Sequence, residues 1–145
     1  MAVNIEKYTT HVHVGNQLWI TERKLSLELY EEAVQMYGNL LPDIHYIDWL
    51  DRFKTQISDC QSFMLRRLGV YCMIKGEEER AIHFFTEWVS VTPLQEEAYQ
   101  ELLKALVRTG KIAEAKHWYA RFEKICKEEL NTVPMPETRQ IMEGL

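Results

Sequence analysis

The sequence predicts an all-α protein, a right-handed stack of about three helix hairpins closed by a short C-terminal helix. Three observations predict it. Apolar residues recur at three- and four-residue steps through nearly everything after residue 23, the period of an amphipathic helix. "GEEERAIHFF" (76–85) and "GKIAEAKHWY" (110–119) repeat one pattern 34 residues apart, matching Gly76 to Gly110, Ala81 to Ala115 and Phe85 to Tyr119. Glycine and "LP" breaks divide the pattern into pieces of helical length.

A 34-residue period in helix-turn-helix sequence is the length of tetratricopeptide repeats, whose helix pairs bury their apolar faces only by stacking on a neighbour. Small and large residues must then alternate at fixed places. Ala81 and Ala115 fall where the second helix of a pair crosses the first, Phe85 and Tyr119 one turn later fill the gap, and Gly76 and Gly110 occupy the tight turn. Counted from Ser62, the residues Leu68, Gly69, Gly76, Ala81, Phe85 and Pro93 match the repeat. Counted from Glu96, Leu102, Gly110, Ala115 and Tyr119 match, while Leu103 and Lys127 replace its glycine and proline. Trp88 and Phe122 stand where alanine is usual, which predicts bulkier packing.

The elements follow in order. "TTHVHVG" alternates like a strand, but no partner strand exists elsewhere, and an irregular helix over 3–15 is expected. "KLSLELYEEAVQMYGNLL" aligns Leu25, Leu29, Ala33, Met36, Tyr37 and Leu40 on one face and stops at "LPD". Ala33 and Tyr37, four apart, suggest a degenerate third unit, with an interval of 48 to Ala81 whose excess fits a lengthened helix. From Asp43 to Lys75 the positions Trp49, Phe53, Ile57, Cys60, Met64, Leu68 and Cys72 fit one long helix, or two with a bend. Ala81, Phe84, Phe85, Trp88 and Val91 begin a new face after Gly76. In "TPLQEEAY", Thr92 suits an N-cap, Pro93 the first helical position and Gln95 a capping box. The domain expected is single, 1–145: a degenerate pair at about 3–41, a long helix and repeat at 43–92, a repeat at 93–130 and a capping helix at about 136–145.

Composition limits the function. With 22 acids against 17 bases and a net charge of -5, the chain repels a polyanion, so direct nucleic-acid binding is not expected. Cys60, Cys72 and Cys126 are odd in number and widely spaced, which fits buried thiols in a reducing compartment. The longest apolar run, "LGVYCMI", is far short of the ~20 residues of a membrane span. "MAVNIEKYTT" has charge where a signal peptide is apolar, so a cytoplasmic place is expected. Neither a phosphate-binding glycine loop, a nucleophile elbow nor a cysteine–histidine pair is found, and acid pairs such as Asp48 and Asp51 are common on soluble helices. No enzyme activity, cofactor or metal is expected.

In a tetratricopeptide stack the first helices of successive pairs line a concave groove. The register gives Phe63, Arg66, Val70, Met73 and Ile74 from one pair and Glu97, Gln100, Lys104, Val107 and Arg108 from the next. Three bases beside apolar residues suit an acidic, amphipathic peptide. The plainer reading is that the bases solvate a helix face while Phe63 and Met73 pack against the preceding helix. His11 and His13 would point about 200° apart on a helix and lack a third ligand. His83 and His117 share a repeat position without further support for a site. The acids of "KGEEER" suit a helix start, and the four tryptophans suit packing gaps.

The run "PLQEEAYQELLKALVRTGKIAEAKHWYARFEKICKEELNTVPMPET" resembles the bacterial transcriptional activator domain, the helical-repeat module of antibiotic-pathway regulators and related response regulators. Pro93, Leu94, Glu96, Leu102, Leu103, Leu106, Gly110, Ala115, Tyr119, Leu130 and Pro134 carry it, and "LELYEEAVQMYGNLLPD", "YIDWLDRF" and "VNIEKY" are similar to the family's earlier helices. Asn131 stands where the family commonly has glycine, and asparagine also tolerates a left-handed cap. The resemblance implies a regulatory module that self-associates, possible as a homodimer, responds to a signal or contacts the transcription machinery, while another domain binds DNA. Family members usually carry an N-terminal winged helix, sometimes with a receiver domain, and nothing here resembles either. The expectation is a fragment of a larger regulator, and next a free-standing adaptor that binds a protein or peptide. A chaperone-tail clamp is set aside, because Glu97 and Glu101 stand where that clamp uses bases.

Overall fold

In the second half of the chain a phenyl ring occupies the place a side chain would need. A Cβ on Gly69 would overlap the Phe85 ring, 2.7 Å from its Cδ1, so only glycine lets the two helices approach this closely. The computed structural model describes the backbone of residues 2–40 and 48–145 and the side chains of residues 5–40 and 51–145. Among them every regular element is helical: α1 (Ala2–Leu18), α2 (Arg23–Met36) with a 3-10 turn (Tyr37–Asn39), α3 (Asp48–Ile74), α4 (Glu78–Val91), α5 (Glu96–Arg108), α6 (Ile112–Glu129) and α7 (Pro136–Met142). The architecture is the expected all-α, tetratricopeptide-like one. The chain forms two compact units, Met1–Leu68 and Gly69–Leu145. Helix α3 is continuous from Asp48, while the expected start at Asp43 and the place of the Trp49 side chain lie outside the described residues.

In the first unit α1 is a regular helix running on to Leu18, not an irregular one ending at residue 15. Tertiary packing overrides the β-branched run: Tyr8, Val12 and Gly15, at four- and three-residue steps, are all buried. The hydroxyl of Thr9 is satisfied by the Ile5 and Glu6 carbonyls, as helical threonine allows. The buried face of α2 is also not the one its leucines suggest. Leu25 is exposed and Leu29 half-buried, while Ser26, Leu27, Tyr30, Ala33 and Val34 face inward. Ser26 donates to the Gly15 carbonyl at 2.6 Å, so a polar residue serves as the small packed one. The small-then-aromatic pair of this degenerate unit is therefore Ser26 and Tyr30, not Ala33 and Tyr37. Gly15 makes the same allowance as Gly69, since a Cβ there would meet the Tyr30 ring at 2.6 Å.

A single buried amide ties three helices of this unit. Gln61 accepts from the Tyr8 hydroxyl at 2.9 Å and donates to the Val34 carbonyl at 3.1 Å. Val34 lies in the last turn of α2, where carbonyls have no partner within the helix. Burial pushes the Tyr8 hydroxyl well above the usual tyrosine range, so it stays a neutral donor.

The second unit repeats one turn twice. At Gly76 (φ 79°) the amides of Gly76 and Glu77 close on the carbonyls of Met73 and Cys72, and at Gly110 (φ 78°) those of Gly110 and Lys111 close on Val107 and Leu106. Both are Schellman turns, so the interval of 34 repeats hydrogen bonds as well as residues. Ala81, Ala115, Phe85, Trp88 and Phe122 are buried, while Tyr119 is half-buried beside a repeat in which Leu103 replaces glycine. Asn131 takes the left-handed conformation (φ 50°) expected of it. The capping box does not form. Thr92 instead ends α4, its hydroxyl shared between the Trp88 carbonyl and Gln95 Oε1, and Gln95 precedes the first residue of α5. The Trp88 indole also donates to Gln95 Oε1 at 3.2 Å, so the turn answers to the core.

Two glycine substitutions separate close packing from mere flexibility. Gly15→Ala should cost about 1–3 kcal/mol by driving a methyl into Tyr30, whereas Gly38→Ala, with open space at its Cβ, should gain about 0.4–1 kcal/mol from a stiffer unfolded chain. Urea midpoints would measure both, and equal effects would contradict the packing read at Gly15.

Candidate functional site

The residues expected to line a groove fall in both units, and each has a definite local setting. In the first unit Phe63 is 39 % exposed, with the Arg67 guanidinium carbon 4.2 Å above its ring centroid. Arg66, on the same helix, is exposed. In the second unit Val70 and Met73 are half-buried and Ile74 is exposed. Lys104 is exposed and reaches Glu101 at 3.5 Å, a weak pair one turn away on α5. Arg108 lies 3.2 Å from Glu78 at the start of α4, so this base is shared with the neighbouring helix. Lys111 meets Glu79 at 2.9 Å in the same region, and that hydrogen bond is the main cause that raises its ammonium above the usual lysine range.

Gln100 is committed to the chain itself. Its amide donates to the Thr138 hydroxyl at 2.9 Å, and that hydroxyl donates in turn to Glu96, which also accepts the Met135 amide at 2.8 Å. The 3.6-residue period puts Glu96 and Gln100 one turn apart on α5, so one face of that helix receives α7. Thr138 is completely buried and Pro136 opens α7 at a position that needs no amide donor. The short final helix therefore covers part of α5 on the side where Gln100 had been expected to meet a partner. Nothing in the spacing of Thr138 announces this, because one threonine in a polar segment has no periodicity to read.

The remaining candidates settle locally. His11 bonds the Lys7 carbonyl and Glu32, while His13 is exposed. His83 pairs with Glu87 one turn on, and His117 lies edge-on to Trp118. No group of three histidine, cysteine or acidic side chains that could hold a metal occurs among the described residues. Burial pushes the thiols of Cys60 and Cys126 up from their ordinary values, the direction opposite to an activated nucleophile. Tyr99 stacks on Phe122 with centroids 4.4 Å apart and donates to the Pro93 carbonyl, which accounts for its burial as structure. No helix among the described residues is long and apolar enough to cross a membrane.

Helix hairpins in 34-residue register, Schellman turns and a covering C-terminal helix define a helical-repeat module. The model of the bacterial transcriptional activator domain matches residues 6–145, and the chain belongs to that family. No curated protein sequence matches it. The family is one of regulatory domains.

The α7 contact can be tested alone. Thr138→Val keeps the shape and removes the hydroxyl that joins Gln100 to Glu96, which should cost about 1–3 kcal/mol. Hydrogen exchange should show the loss concentrated in residues 136–142; a loss spread evenly over both units would mean that α7 is not held at this point.

Proposed function

We propose that the chain is the regulatory, protein-interaction module of a bacterial transcriptional regulator, acting through self-association, signal response or contact with the transcription machinery while a separate domain binds DNA. The family match over residues 6–145 carries this reading. The charge supports the division of labour: a net charge of -5 repels a polyanion at long range. On this reading the partner is a protein or peptide, and its contacts are Phe63, Arg66, Val70, Met73, Lys104 and Arg108, while Gln100 is taken up by α7. Exposed bases beside apolar side chains favour an acidic, amphipathic partner segment.

The direct test fuses the 145-residue chain to an unrelated DNA-binding domain and reads a promoter that carries the matching operator. Transcription should change several-fold relative to the DNA-binding domain alone, and Met73→Ala with Lys104→Glu should remove most of that change while leaving helicity intact. About tenfold is the scale set by losing 1.4 kcal/mol of contact. An unchanged promoter, or salt-sensitive DNA binding by the isolated chain, would contradict the reading.

A further inference from the structure

Trp19, in the turn between α1 and α2, holds two cations. The Arg23 guanidinium carbon lies 3.9 Å from the indole ring centroid and that of Arg67 lies 4.3 Å from it. Each is anchored once more: Arg23 Nε donates to the Trp19 carbonyl at 2.5 Å, and Arg67 Nη1 donates to the Tyr30 hydroxyl at 2.8 Å. The Tyr30 ring stacks against Trp19, and its hydroxyl donates to Asn16 at 2.5 Å, so the whole group is fixed within the first unit. Neither arginine has a carboxylate partner among the described residues.

What sets this pair of arginines apart is the single ring they share. Acids exceed bases, 22 to 17, and in the second unit Lys104, Arg108 and Lys111 each have a carboxylate within 3.5 Å. Two guanidinium groups share one ring here, within about one Debye length (~10 Å) of each other, so their repulsion is only weakly screened. Stacking leaves the edges of a guanidinium, where its N–H donors lie, free to bind. Ile20, the next residue, is 86 % exposed, and Phe63 presents a partly exposed ring under Arg67. Fixed donors without a carboxylate, set beside apolar surface, match carboxylates carried on an apolar segment. A nucleic acid presents a ladder of phosphates instead, which the net charge of -5 disfavours.

We propose that Trp19, Arg23 and Arg67 form a carboxylate clamp that docks an acidic segment of a partner protein, with Ile20 as its apolar contact. The inference rests on the proposed function only in taking the partner to be a protein, and it adds a further contact at the α1–α2 turn.

The test uses the whole chain and a short fluorescein-labelled peptide of glutamate and leucine, with a glutamine-for-glutamate peptide as its counterpart. The glutamate peptide should bind in anisotropy at up to millimolar concentration and weaken with salt, and the Trp19 indole N–H resonance should shift on binding. Arg23→Gln, at an exposed site, should weaken binding about tenfold with unchanged circular dichroism. Arg67→Lys should weaken it as well, because lysine keeps the charge but loses the planar fork. Arg121→Gln, beside Trp118 in the second unit, should bind like the parent. Absence of binding, equal binding of the glutamine peptide, parent-like binding by Arg23→Gln, or tighter binding of a single-stranded oligonucleotide would each overturn the clamp. No promoter is read in this experiment, so failure of the clamp and failure of the regulatory reading remain distinct.

Discussion

A helix with one apolar face is unstable until another helix covers it, and how closely the cover can approach is set by the smallest residue at the crossing. Here that residue is Gly69 under Phe85 in one unit and Gly15 under Tyr30 in the other. Ala81 and Ser26, one turn before each aromatic ring, are fully buried and complete the close contact. Dense packing makes such places intolerant of even one added methyl group. The turns at Gly76 and Gly110 then deliver each following helix, because a left-handed residue closes the last carbonyls of one helix and reverses the chain.

Much of this was legible in the sequence, and the reasons differ by element. Ala81, Phe85, Ala115 and the two turn glycines could be read because they recur at a fixed interval, and an interval is a strong signal whatever each residue contributes alone. The first unit resisted the same reading. Ser26 is polar and Tyr30 carries a hydroxyl, so neither resembles a core pair until the Gly15 carbonyl and Asn16 are seen to satisfy them. The leucines of α2 suggested another face, since periodicity counts apolar residues and misses polar ones whose partners are inside. Thr92 fitted a capping box by type and spacing, yet the Trp88 indole draws Gln95 into a different bond.

The candidate site was legible as residue types and only partly as a place. Lys104 and Arg108 are legible as bases on α5, and Glu101 and Glu78 as acids, but the pairs between them are not. The register turns Gln100 toward a partner, whereas it bonds the chain's own Thr138. Arg67 is missed beside Arg66, although Phe63 and Arg67 are four apart on α3 and thus meet on a helical surface. That spacing was the available signal. The placing of Arg67 over Trp19 depends on tertiary structure and has no trace in either segment alone.

The central claim is that aromatic rings seated on side-chain-free backbone hold these hairpins together. A double-mutant cycle on Gly69→Ala and Phe85→Leu, read by urea unfolding, tests it most directly. The account predicts that Gly69→Ala is costly in the parent and much less so when the smaller Phe85→Leu side chain leaves room for the added methyl, giving a coupling of about 0.5–3 kcal/mol between the two positions. Additive losses would show that Gly69 and Phe85 contribute independently and would contradict the account.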